Sequence, residues 1–292
     1  MLGKLLKYEF KATSRYFMFL YSAVLGLAII NKIFWLIPTD NVVMNVVRGF
    51  IMAAFVIATV ATLIFSFVII IYRFYKNLLS DEGYLSFTLP VTSTKHIISK
   101  MLISVLWIIV TGIVVIISLL IMAIDTGFYG ALPELFGLFK GFLSSNPEFK
   151  GFMVDVILLV LVAMFTGTLM LYASMSIGHL FSKHRVIASI VSFFGIYFVI
   201  QVINSIILGV SIAIGFGTDT FNAMGSGTAD ALVDPGTISP GIIFTGTTGL
   251  SYNTFLNMMS TIFIVTICLQ IALGVLYFLV TRYILKKKLN LE

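Results

Sequence analysis

Six apolar runs, each about 20 residues or longer, constrain this chain more than anything else in it: 17–37, 49–72, 101–124, 154–180, 186–214 and 255–285. A helix needs roughly 20 apolar residues to cross the hydrocarbon core of a bilayer. No water reaches the backbone there, so each run must satisfy its own N–H and C=O groups, and a helix does that within one segment. Charged residues make up 10% of the chain, too few to coat a water-facing surface. The expected fold is therefore all-α and integral to the membrane, one transmembrane domain over residues 1–292 with six helices. No internal repeat and no linker between separate folded domains is evident.

Orientation follows from the basic residues. Six spans with both ends of the chain on one side place Lys4, Lys7, Lys11, Arg15, Arg73, Lys76, Lys95, Lys100, Lys183, Arg185, Arg282, Lys286, Lys287 and Lys288 together, and leave only Lys32, Arg48, Lys140 and Lys150 opposite. Basic residues are retained on the cytoplasmic side, so both termini are expected there, in a multi-pass protein of the cell membrane. The formal charge of +6 is spent at helix ends. It forms a topology signal rather than a phosphate-binding stripe, and nucleic acid is not an expected partner. The single cysteine, Cys268, lies in a span and can form no intramolecular disulfide.

Residues 1–16 precede the first span. On a helix, Lys4, Lys7, Lys11 and Arg15 share one face and Leu2, Leu5, Leu6, Phe10 and Phe17 the other. Two readings stand: a basic leader that only sets topology, or an amphipathic interfacial helix with lysines toward anionic lipid and contact with a partner. Glu9 falls near the middle of the apolar face, where an unpaired carboxylate is costly. Either a basic neighbour or a donor from a partner must meet it.

The outer loop 125–151 has one apolar stretch, 135–143, suited to a short surface helix. The long outer segment 215–253 ends in an uncharged, glycine- and threonine-rich stretch at 238–250, which suits a segment dipping into the outer leaflet. Residues 72–100 form the longest interruption between spans on the basic side. Ser80 is a good N-cap, with Asp81 and Glu82 in the first turn, where the helix dipole favours acid. Leu78, Leu79, Leu85 and Leu89 supply apolar anchors, and Pro90 ends the turn. Thr92 or Ser93 can cap the next helix. A short helix over 77–90, lying across the cytoplasmic mouth, is the expectation.

The run Arg73-Phe74-Tyr75-Lys76-Asn77-Leu78, then Asp81-Glu82-Gly83-Tyr84-Leu85, then Leu89-Pro90-Val91, resembles the permease subunits of ABC-2-type ATP-binding-cassette transporters, especially those of Gram-positive bacteria. Leu6-Lys7-Tyr8-Glu9 adds to the likeness. The resemblance covers the whole chain in topology and these two stretches in residues. It implies an exporter subunit with no chemistry of its own. It also implies a partner ATPase carrying ATP and Mg, and a second permease copy or a similar chain. In that setting 77–90 is the coupling helix. Asp81, Glu82, Gly83, Tyr84 and Leu85, with Glu9, are the docking candidates.

The residues themselves exclude several classes. No Gly-Lys-Ser/Thr phosphate loop occurs, so ATP hydrolysis by this chain alone is not expected. No ionisable side chain falls in mid-span, unlike ion-coupled carriers, membrane proteases and metalloenzymes. His96, His179 and His184 are dispersed near the cytoplasmic edge and make no metal set; neither a catalytic residue nor a cofactor on this chain is expected. The polar residues at depth are neutral: Thr111, Thr166, Thr168, Ser174, Gln201, Asn204 and Gln270. They suit hydrogen bonding between helices, or a pathway lining. Gln201, Asn204 and Ser205 share a face and, with Gln270, are the lining candidates for an amphiphilic peptide, drug or lipid-like molecule. The alternative function, of a different class, is a polytopic scaffold or sensor that transports nothing.

Overall fold

The structure, a computed structural model, describes residues 2–38, 41–79, 92–123, 126–181, 184–225 and 252–287. Among them the elements are α1 (Leu2–Leu36), α2 (Val42–Phe74), a π-helical turn (Tyr75–Leu79), α3 (Ser93–Ala123), α4 (Thr126–Ser145), α5 (Pro147–Gly178), α6 (Arg185–Gly225) and α7 (Tyr252–Lys287), with no strand among them. Six are long and apolar enough to cross a membrane: α1, α2 with its π turn, α3, α5, α6 and α7. The protein is an all-α, multi-pass integral membrane protein. Its exposed residues fit that solvent. Val186, Ile187, Ile190, Val191 and Phe194 of α6 are each more than half exposed. In water such a face would aggregate, whereas lipid tails solvate it.

Residues 2–16, expected as an interfacial helix, are the first turns of α1, with no break before residue 17. One stripe explains the continuity. Thr13, Phe17, Tyr21, Val24, Ala28 and Asn31 recur every three or four residues and are all buried. The face that packs in the membrane therefore continues into the basic leader. α2 starts at Val42 rather than 49, because Asn41 caps it: the Asn41 side chain accepts a hydrogen bond from Val43 N at 3.0 Å. Arg48 secures the same turn. It donates to Phe34 O at 3.0 Å, to Asn45 Oδ1 at 3.0 Å and to Ile37 O, so carbonyls at the end of α1 find a donor. The loop expected at 125–151 is almost wholly helical as α4, which contains Pro133. After Thr126 this stretch has no β-branched residue, and the helix forms despite Pro133 and the glycines at 127, 130, 137 and 141. The dipping segment proposed for 238–250 lies outside the described residues.

The contacts divide the chain into two compact units. The first comprises Met1–Gly137, Gly167–Phe193 and Gly274–Glu292. Here α1 packs on α3 and α2. Phe17, Tyr21, Ile103 and Trp107 form one buried cluster, and Val24, Ala28 and Phe55 another, flanked by Ile121 and Met122. The partners rise together along both helices, so α1 and α3 run parallel. Gly178 closes a tight approach: a Cβ there would lie 2.4 Å from Ser189 N and 2.5 Å from Ser189 Cα. Only glycine lets the end of α5 meet the start of α6 this closely.

The second unit comprises Leu138–Thr166 and Phe194–Leu273. A run of rings connects Phe142 to Phe149 (4.9 Å), Phe149 to Phe152 (6.0 Å) and Phe152 to Phe263 (5.4 Å). Ser260 Oγ donates to Asp155 Oδ2, and Thr166 Oγ1 donates to Gln270 O at 3.1 Å. These bonds join α5 to α7, where lipid offers no hydrophobic drive for association.

Candidate functional site

Within the first unit, α1 and α3 carry matched polar stripes. Glu9, Thr13 and Tyr21 on α1 stand beside Lys100, Trp107 and Thr111 on α3. The spacings are four and eight residues on α1 and seven and four on α3, so each set lies on one face. Tyr21 OH and Thr111 Oγ1 are 2.8 Å apart, and Thr111 Oγ1 donates to Trp107 O at 2.7 Å. Tyr21 OH lies 3.4 Å from the same carbonyl, so either hydroxyl can donate within the pair. Ser66 of α2 reaches the same hydroxyl at 3.3 Å. Thr111, one of the neutral polar residues noted at depth, thus joins helices.

Lower on the same faces lies a knot of aromatic rings and charges. Trp107 is stacked between Phe10 (5.1 Å, 8° between planes) and Phe17 (4.4 Å, 3°). Its Nε1 donates to Thr13 Oγ1 at 2.8 Å. Phe74, at the end of α2, stacks on Tyr172 of α5 at 3.9 Å. Tyr172 is buried and its hydroxyl lies 2.8 Å from Ser104 Oγ of α3.

The charges sit just beyond these rings. Glu9 uses its two carboxylate oxygens separately. Oε2 accepts from the Arg73 guanidinium at 3.1 Å, and Oε1 from Lys100 Nζ at 2.5 Å. Lys100 is only 5% exposed, and Glu9 16%. The sequence left open whether a neighbour or a partner meets Glu9; the structure supplies two cations from the chain itself. An ammonium so buried is tolerated because a carboxylate stands against it. The three groups sum to one net positive charge. With Thr13, Ser104, Trp107 and Tyr172 they line a cavity of about 20 Å³, large enough for one water.

Arg73 and Lys100 flank residues 80–91. Arg73 lies in the last turn of α2, which passes through the π turn to buried Leu78 and Leu79. Thr92 opens the return: its carbonyl accepts from Lys95 N at 2.9 Å, and Ile97, Ser99 and Lys100 are buried. π turns are rare and often mark functional positions. Beside this one, His179 lies 5.2 Å from the Tyr75 ring. Burial first, and the charge of Arg185 second, hold its imidazole below the ordinary histidine range.

Asp81, Glu82, Gly83, Tyr84 and Leu85, and with them most of the expected helix over 77–90, lie outside the described residues. Residues 77–79 belong to the π turn, and Leu78 and Leu79 are anchors as expected. Gln201 and Ser205 are exposed on α6, with Ser205 Oγ donating to Gln201 O at 2.9 Å. Asn204 Oδ1 and Gln270 Oε1 are buried with no hydrogen-bond partner among the described residues. No hydrogen bond there joins these four into one site. Nor do His, Cys, Asp or Glu residues group to hold a metal among the described residues.

Lys100, Trp107, Thr13, Ser104 and Tyr172 were not singled out in the sequence. The available signal was the stripe Lys100-Ser104-Trp107-Thr111, polar or aromatic at one face of an otherwise aliphatic helix. Fold and site together define a multi-pass helical membrane protein with a buried ionic and aromatic knot at the lysine- and arginine-rich end of its first three helices. Comparison with family models, curated proteins and solved structures finds no match.

Proposed function

We propose that this chain is the membrane-spanning permease subunit of an ATP-driven exporter of the ABC-2 type. It works with a separate ATP-binding-cassette ATPase that holds ATP and Mg. The observation that carries the reading is the packing on either side of residues 80–91. A segment that receives force must pass it to the spans without slack, and here both flanks are buried: Leu78 and Leu79 before, Ile97, Ser99 and Lys100 after. A solvated loop requires no such anchorage.

In this reading the basic end faces the cytoplasm of a cell membrane, and the ATPase docks on 77–90 through Asp81, Glu82, Gly83, Tyr84 and Leu85. Glu9 supports that segment from within. A second copy or a similar chain completes the path. Gln201, Asn204, Ser205 and Gln270 are its lining candidates for an amphiphilic cargo. ATPase closure shifts the population between two exposures, with no covalent step on this chain.

The test is co-expression with a candidate ATP-binding-cassette ATPase, followed by co-purification and ATP-dependent transport in liposomes. Stable association and turnover that neither chain shows alone are expected. Absence of any association would favour a scaffold or sensor. Orientation is tested separately, by single cysteines in a Cys268→Ser background. Glu148→Cys is expected to react with an impermeant reagent from outside and His184→Cys is not; the reverse labelling would overturn the topology.

A further inference from the structure

Arg73 and Lys100 lie on different helices, one before and one after residues 80–91. A single carboxylate on a third helix holds both, one oxygen to each. The two cations repel one another, so nothing in their own chemistry would keep the flanks together. Trp107, two turns beyond Lys100, stacks on Phe10 and Phe17, while Phe74 stacks on Tyr172, whose hydroxyl meets Ser104 of α3; the flanks thus share Tyr172 as a packing contact and Glu9 as an ionic one. Glu9 is the one carboxylate among the described residues that both share.

We propose that Glu9 is a positioning residue, a tie that fixes the spacing of the two flanks of residues 80–91 and binds both to α1. A pull on either flank then reaches α1 and the opposite flank together. The geometry stands without the transporter reading, on which the inference rests only for what does the pulling. Glutamine at position 9 cannot do the same. Its one oxygen can accept from either cation, and its NH₂ opposes the other, leaving Lys100 buried and unmatched.

The experiment measures the distance distribution between spin labels on the flanks, in full-length protein in lipid nanodiscs with no ATPase present. Labels replace Tyr72 and Lys95, both exposed, in a Cys268→Ser background. The parent is expected to give one narrow distribution. Glu9→Gln is expected to broaden it by about twofold, as the flanks sample positions independently. A double variant, Glu9→Gln with Lys100→Met, removes the unmatched buried ammonium and so separates folding from tying. It is expected to melt near the parent temperature yet keep the broad distribution. If Glu9→Gln stays narrow, or fails to fold while the double variant is narrow, packing alone sets the spacing and the tie is overturned. Because no ATPase is present, this result is independent of whether one docks.

Discussion

Trp107→Ala tests the aromatic knot most directly. In lipid, the usual hydrophobic gain on packing two helices is absent, because tails are as apolar as the side chains. The loss must therefore come from specific contacts. Two stacked rings, Phe10 and Phe17, are each worth about 0.5–1.5 kcal/mol beyond area. The Nε1 bond to Thr13 adds about 0.5–1.5 kcal/mol. The expected cost of Trp107→Ala is thus about 2–4 kcal/mol, and of Trp107→Phe, which retains the stack, about 1 kcal/mol. Thr13→Val isolates the other half of the bond. It leaves the indole N–H buried without an acceptor, at about 1–3 kcal/mol. Reversible unfolding in mixed micelles, followed by tryptophan fluorescence for Thr13→Val and by circular dichroism for all three, reads these values. Equal costs for Trp107→Ala and Trp107→Phe would show that the stacking contributes nothing, and the account of α1 on α3 would fail.

Glu9→Gln should destabilise by about 3–5 kcal/mol through the orphaned ammonium of Lys100, and Lys100→Met added to it should recover most of that loss in the same unfolding assay. Gly178→Ala should cost about 1–3 kcal/mol or more, since backbone and not only a movable side chain stands in the way; heat-induced aggregation by size-exclusion chromatography checks it. His179, disfavoured as a cation when folded, binds its proton more readily unfolded. Its share of stability is therefore present above the ordinary histidine pKa and is lost as pH falls from there through the lowered folded value. His179→Gln should flatten that part of a melting-temperature profile between pH 7 and 5. If the proposed ATPase partner docks on 77–90, Tyr84→Ala with Leu85→Ala should weaken its binding by about 1–4 kcal/mol while leaving the melting temperature of this chain unchanged, as calorimetry would show.

How far the sequence reaches differs by element. Length and apolar content alone determined the number of spans, because a backbone in hydrocarbon has so few solutions. The break between α1 and α2 was legible from Pro38 through Asn41, but the start of α2 was not. Its first residues, Val42 to Arg48, are held by one side-chain cap and by Arg48 reaching carbonyls of another helix. α4 was underestimated: only its apolar stretch 135–143 read as a short helix, whereas the helix runs over Thr126–Ser145.

The site divides along the same line. The sequence by itself determined that Glu9 needed a basic neighbour or a partner's donor, since a carboxylate on an apolar face is a local fact. Which cation answers it is not local. Arg73 and Lys100 lie 64 and 91 positions away, and in sequence they looked like two more of the basic residues that set topology. Only the parallel packing of α1 on α3, in the register that places Thr13 at Trp107 and Tyr21 at Thr111, brings Lys100 to Glu9 and buries it. A charge census places a lysine on a side of the membrane by summing weak, long-range preferences. Its burial and its partner are decided by contacts of a few ångströms, which exist only once the helices have met.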